Sequence, residues 1–310
     1  VRPVRDVSLC IEAGETVALV GESGCGKSMT CLAIGGLLPR RGYVSAGQVR
    51  FQGQDLVPLP ADQARALRRS GMASVFQDAT GGLNPVRTIG WQIAEAVRLR
   101  KGGTRAECRA EAVRLLGRVG LPAPERRARE YPNAAARIRD YPHQFSGGMN
   151  QRAMIALAIA GDPKLLIADE ATTALDVTLQ AQILDLIGDL RDTLGMGVLF
   201  VTHDLGLVAQ SADRVVVMYA GRAVESREVG PIFAAPRHPY TSGLLNALPR
   251  PDTDRARLAS IDGVVPPIDA LPPGCAFAPR CPHRSGLCEQ ADPALTGSVA
   301  CHHPVREAAA

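Results

Sequence analysis

Residues 17–28 read VALVGESGCGKS, and no other stretch restricts the fold as much. A short apolar run precedes the spacing G-x-x-x-x-G-K-S, and MTCLAIGGLL after it has the composition of a helix. Such a loop functions between a buried strand and a helix N-terminus. Gly21, Gly24 and Gly26 let the backbone N–H groups of a loop that also holds Glu22, Ser23 and Cys25 gather around phosphate oxygens. Lys27 is placed to reach the β- and γ-phosphates of a nucleotide such as ATP, and Ser28 to hold Mg²⁺ at the helix start.

KLLIADEATTALD (164–176) supplies a second half for that site. LLIA reads as another buried strand, so Asp169 at its C-terminal end is expected to hold Mg²⁺ directly or through water. Glu170 beside it is expected to polarise an attacking water. Strands and helices alternating around a phosphate loop predict an α/β core.

Bulk properties allow this and exclude other classes. The 310 residues can bury a full core. The longest apolar runs, AMIALAIA (153–160) and VVVMYA (215–220), fall far short of the ~18 residues a membrane span needs. No charged-then-apolar leader opens the sequence, which predicts a cytosolic protein. Residues 98–140 carry twelve Lys or Arg against five acids. That excess suits a solvated helical face, or a surface near anionic lipid. Aromatic residues to stack on bases are nearly absent there, so nucleic acid is not expected as a partner.

At FSGGMNQR (145–152) the chain resembles the ATPase subunits of ABC transporters. The family's other motifs come in order: the loop at 21–28, Gln77 in SVFQD, the signature at 145–152, Asp169–Glu170, the turn TALD (173–176), and His203 in VTHD. LNPVRTIGWQIAEA (83–96), RDYPHQFSGGM (139–149), TTALDVTLQAQIL (172–184) and HPYTSGLLNALP (238–249) resemble stretches of the oligopeptide, dipeptide and nickel importers in particular.

This resemblance implies two subunits, identical or sister, facing head to tail around two ATP molecules. Ser146, Gly147 and Gly148, at a helix N-terminus, would then bind the γ-phosphate of ATP held by the opposite subunit. It implies Glu170 as general base, His203 on the γ-phosphate, Gln77 sensing Mg²⁺ and water, and Asp176 communicating across the dimer. It also implies two integral membrane permease subunits, an extracytoplasmic substrate-binding protein, and a place on the cytoplasmic face of the cell membrane. The alternative is a soluble ABC ATPase acting on ribosomes or DNA.

Three departures from the family pattern stand out. Ala171 follows Glu170, and Ala79 follows Gln77-Asp78, where proline is usual. RAREYPN (127–133) and RIRDYPH (137–143) repeat one pattern at a ten-residue period, as a tandem duplication before the signature would. The family places an adenine-stacking aromatic upstream of the phosphate loop. This chain starts at Val1 and has its first aromatic at Tyr43, so either adenine is held without stacking or the true start lies upstream.

The expected organisation is an ATPase region over 1–225, containing an inserted helical subdomain over about 89–160, and a loop-rich extension over 226–310. Strands are expected at 4–11, 16–20, 48–53, 72–76, 164–168, 198–202 and 214–225. Helices are expected at 27–38, 89–100, 104–119, 147–160 and 178–194. In the proline-dense extension stand Cys275, Cys281, Cys288 and Cys301, half of the eight cysteines. A cytosolic setting disfavours disulfides. Gaps of five, six and twelve residues lack the close pairs of structural zinc and better suit a [4Fe–4S] cluster. The resemblance implies the cluster as well. Zinc, with His283, His302 and His303 as further ligands, is the runner-up, and free thiols are the third reading. Cys10, Cys25, Cys31 and Cys108 are expected in the core or in helices, with Cys25 open to oxidation.

Overall fold

The structure, a computed structural model, describes residues 1–76, 81–121, 137–171, 175–248 and 260–305. Strand β1 (Thr16–Val20) leads into helix α1 (Lys27–Gly35). A hairpin of β2 (Arg50–Phe51) and β3 (Gln54–Asp55) precedes α2 (Ala61–Gly71) and β4 (Met72–Val75). Helices α3 (Ile89–Lys101), α4 (Arg105–Arg118) and α5 (Gly147–Ala158) come next. Then come β5 (Leu165–Asp169), α6 (Val177–Leu194), β6 (Gly197–Val201) and α7 (Leu205–Ser211). After β7 (Arg214–Tyr219) and β8 (Arg222–Glu228) stand the short helices α8 (Val229–Ala234), α9 (Pro239–Asn246) and α10 (Gly286–Gln290). No helix among the described residues is long and apolar enough to cross a membrane.

The chain divides into two compact units, residues 1–31 with 199–310, and residues 32–198. That division does not fall at residue 226. The residues beyond 226 belong to the same unit as the phosphate loop.

In the first unit the strands run β6–β1–β7–β8. Strand β1 pairs parallel with β7, from Val17 opposite Arg214 to Val20 opposite Val217, and β7 pairs antiparallel with β8. Val17, Ala18, Leu19 and Val20 are at most 1% exposed, which explains an apolar run without alternation: both faces of the strand are covered.

The strand expected at 4–11 does not form. Its alternating apolar residues lie half-buried, but its backbone finds sheet-like partners only where Arg5 and Asp6 meet Gly221 and Ala223. The C-terminal segment runs beside the sheet of the first unit. Ser226 N–H donates to Ser298 O and Ala300 N–H to Val224 O, both at 2.8 Å, so it lines up along β8. Behind this seam Tyr219, Tyr240 and Phe277 pack ring on ring, with centroids 4.7–5.4 Å apart. Three aromatic side chains buried together supply a core that the proline-rich composition concealed.

In the second unit β4 pairs parallel with β5, Met72 opposite Leu165 through Val75 opposite Ala168. Its helices start at polar caps. Thr88 Oγ1 accepts from Trp91 N–H, and Thr104 forms a reciprocal capping box with Glu107. Gly102, at φ +77°, ends α3. The first turn of α3 is tied to the segment before α5: Ile89 N–H donates to Asp140 O at 2.8 Å and Gly90 N–H to Ile138 O at 3.0 Å. That segment holds the second copy of the repeat, 137–143. The first copy, 127–133, lies outside the described residues.

Candidate nucleotide-binding and catalytic site

The phosphate loop, 21–28, joins β1 to α1 in the first unit. Gly26 adopts φ +105°, and a Cβ there would come within 2.7 Å of Pro3 O, so only glycine fits. Gly21 lies beneath the carbonyl of Met218, again with no room for a side chain. Gly24 also has a left-handed φ, and both it and Ser23 are exposed. Lys27 is buried, its Nζ donating to Gly21 O at 2.7 Å and Glu22 O at 3.1 Å. Ser28 is exposed at the helix start. Cys25 is fully buried, and burial pushes its thiol pKa up despite the nearby Lys27 ammonium. An inaccessible thiol with little thiolate runs against the expected oxidation sensitivity. Cys31 and Cys108 are buried as expected, whereas Cys10 is exposed and bonds Glu12 instead of joining the core.

His203 also belongs to this unit. Thr202 N–H donates to Leu19 O at 3.3 Å, so the C-terminal ends of β6 and β1 adjoin. Thr202 Oγ1 accepts from Asp204 N–H at 3.0 Å, and Asp204 caps α7 through Gly206 and Leu207 N–H. With both neighbours fixed, His203 is presented, exposed, at the strand end.

The remaining predicted residues fall in the second unit. Asp169 is buried at the last position of β5. Glu170 has φ +49°, a left-handed conformation that costs an L-residue about 1 kcal/mol. Ala171 follows, where the family usually has proline, so the turn that aims the carboxylate lacks that restraint. Ser146 caps α5 through Met149 N–H at 3.4 Å. Ser146 and Gly147 are exposed, while Gly148 is buried against Leu179 of α6. Asp176 caps α6, its Oδ1 accepting from Leu179 N–H at 3.0 Å. Gln77 lies outside the described residues, as do Asp78, Ala79 and residues 172–174.

Two residues that the motifs did not single out bear on the loop. Arg280 forks onto the Glu22 carboxylate, and Tyr240 Oη accepts from Glu22 N–H. Both lie more than two hundred residues away in sequence, and neither belongs to a phosphate-binding pattern.

The four C-terminal cysteines are all free thiols, and they line one pocket together with His238, His283, His302 and His303. Cys275 N–H donates to Cys288 O at 2.8 Å, joining the first and third. Burial pushes the Cys275 thiol pKa up to about 11 and raises those of Cys281 and Cys301. Among the described residues no three Cys, His, Asp or Glu side chains are placed to hold one metal ion. That holds for the expected cluster and for the runner-up zinc site alike. His302 and His303 instead contact Ala291 O and Ser285 Oγ, at 2.9 and 2.7 Å.

Comparison with known proteins agrees with these features. Residues 4–173 match the ABC transporter family and residues 224–288 the oligopeptide/dipeptide transporter C-terminal region. The chain is 46% identical over 312 residues to the dipeptide transport ATP-binding protein DppD of Escherichia coli K12, covering 99% of this chain and 92% of that one. Among solved structures it is similar to the dimeric ATP-binding cassette MJ0796 in a post-hydrolysis state bound to ADP and Pi. That match has a TM-score of 0.61 and 28% identity, over 73% of this chain and 90% of the other. It is also similar to cbiO1 of Clostridium perfringens, with a TM-score of 0.62 and 26% identity, over 75% and 84% of the two chains.

Proposed function

We propose, from the premise that this chain belongs to the ABC transporter family, that it hydrolyses ATP to drive a bacterial importer of peptides or a related small solute. The observation that carries the reading is one chain holding both a phosphate loop and, at Ser146–Gly147, an exposed serine-capped helix start. A helix N-terminus left uncovered suits an anion presented by a second subunit. The oligopeptide/dipeptide C-terminal region favours transport over an ATPase acting on ribosomes or DNA.

In this reading Lys27 and the loop N–H groups hold the β- and γ-phosphates. Ser28, Asp169 and Gln77 would hold Mg²⁺, which neutralises phosphate charge. Water attacks the γ-phosphorus, Glu170 takes its proton, and ADP and phosphate leave. His203 contacts the γ-phosphate. Ser146, Gly147 and Gly148 bind the phosphate held by the opposite subunit, so hydrolysis needs both chains, and Asp176 relays between them. The partners are then a like or sister ATPase, two membrane permeases at the cytoplasmic face, and their substrate-binding protein. Co-purification of the full chain with two polytopic membrane proteins, and ATP hydrolysis lost in Glu170→Gln, is the expected result. Recovery with ribosomes or DNA instead would overturn the reading.

For the C-terminal cysteines we infer a [4Fe–4S] cluster. What supports it is that four free thiols line one pocket. Each of the four irons would take one thiolate, and the cluster would fasten the loops that carry them. Anaerobic purification with iron, sulfide and zinc analysis tests this. About four irons and four sulfides per chain, lost in Cys281→Ser, are expected. A colourless protein with one zinc would refute the assignment.

A further inference from the structure

Arg280 uses every donor it has. Its Nε donates to Asp262 O at 2.9 Å. Nη1 donates to Glu22 Oε2 at 2.7 Å and to Tyr219 Oη at 3.3 Å. Nη2 donates to Glu22 Oε1 at 3.0 Å and to Ile261 O at 3.2 Å. Only 5% of its side chain is exposed. This is a bidentate, charge-assisted pair that a lysine could not reproduce. On the same residue, the Glu22 N–H is held at 2.9 Å by the Oη of Tyr240, whose ring is fully buried against Tyr219 and Phe277. Glu22 O in turn accepts from Lys27 Nζ at 3.1 Å. A continuous series of contacts therefore runs from the C-terminal region through Glu22 to the lysine of the phosphate loop.

Glu22 is an acid in a loop that receives polyanionic phosphate. Left alone, its carboxylate would repel the ligand and pull on the Lys27 ammonium. The fork of Arg280 neutralises it and fixes its direction. We propose that Arg280 and Tyr240 are positioning residues of the nucleotide site: they seat and neutralise Glu22 so that the phosphate loop is set to receive ATP. The C-terminal region would thus be a working part of the ATP site as well as an attachment. Arg280 is followed by Cys281, and Tyr240 lies two residues beyond His238; Cys281 and His238 both line the cysteine pocket. Both arms of the clasp leave from that one place.

The inference rests on reading residues 21–28 as the nucleotide loop, but not on what the cysteines hold. Binding of a fluorescent ATP analogue to the full chain separates the two. No binding by the unaltered protein would fail the nucleotide reading itself. With binding established, Arg280→Gln is expected to weaken affinity about tenfold, more at low salt than at high. The double variant Glu22→Gln/Arg280→Gln is expected to recover to within about twofold of the unaltered chain, because the uncompensated charge is gone. A purely structural loss would instead add up in the double variant, and that outcome, or an unchanged affinity in Arg280→Gln, overturns the proposal. Should Arg280→Gln fail to fold, Arg280→Lys and Tyr240→Phe keep the charge and the ring. Each is expected to weaken binding about two- to fivefold without shifting the thermal transition by more than a few degrees, and equal affinity in both would again overturn it.

Discussion

Gly148 lies against Leu179: a methyl group built on the glycine would come within 3.2 Å of the leucine Cδ1. The second glycine of the signature is thus a packing residue, letting α5 approach the first turn of α6. Gly148→Val is expected to lower stability by about 1–3 kcal/mol through overpacking and to reduce ATP hydrolysis with it. Leu179→Ala in the same chain should return part of the loss, because the two side chains compete for one space. Denaturant unfolding of both variants checks this, and strictly additive losses would refute the packing account.

The left-handed turn at Glu170 separates two demands on one residue. The carboxylate serves the proposed chemistry, while the backbone there would suit glycine. Glu170→Gln is expected to cut the hydrolysis rate about 10²–10⁴-fold while nucleotide binding persists. Glu170→Gly should lose hydrolysis equally yet be no less stable than the unaltered chain, since about 1 kcal/mol of backbone strain is relieved. Stability curves beside single-turnover rates would show it. A clear loss of stability in Glu170→Gly would mean that the turn carries no strain.

What could be read from sequence was what is local. The phosphate loop and the unbroken apolar runs of β1, β5 and β6 each depend on residues within a few positions of one another. The contact of Arg280 with Glu22 spans 258 residues and obeys no spacing rule. Glu170's backbone angle depends on where β5 ends and on the path of the chain beyond it, which composition does not encode. The strand expected at 4–11 did not form, because its backbone finds partners only at Arg5 and Asp6. The cysteines were legible as a set of four. That they face one pocket, and that it lies beside the residues holding Glu22, required the fold.

Helix α3 is held to α4 and to the residues after α5 by charge. Lys101 lies 3.3 Å from Glu111 and 2.6 Å from Asp162, and Arg114 bonds Glu111 at 2.6 Å. Arg114 first, then Lys101, hold the Glu111 carboxyl down at about 2, below its ordinary value. A depressed carboxylate favours the folded state above its unfolded pKa. Its contribution should be complete above about pH 4.5 and fade as pH falls toward 2. Partial exposure screens it, so Glu111→Gln is expected to cost about 1 kcal/mol or less at neutral pH, and less still in high salt. Below pH 2 the variant and the parent should converge, and a difference that grew on acidification would contradict the assignment.

Glu225 is fully buried in β8, and its two carboxylate oxygens accept from Arg237 N–H at 2.9 Å and His238 N–H at 2.8 Å. This carboxylate holds the start of α9, and so the Tyr240 side chain, to the strand along which the cysteine-bearing segment runs. Removing it strands the buried His238 amide and the part-buried Arg237 amide, at about 1–3 kcal/mol each. Glu225→Ala is therefore expected to cost at least about 3 kcal/mol and to expose the C-terminal region to limited proteolysis before the rest of the chain. Glu225→Gln keeps one acceptor oxygen but turns an NH₂ group toward a neighbouring donor, so it should recover little. If Glu225→Ala unfolded at the parent's denaturant midpoint with an unchanged proteolysis pattern, the C-terminal region would have to be anchored elsewhere, and the contacts of Arg280 and Tyr240 with Glu22 would be the place to look.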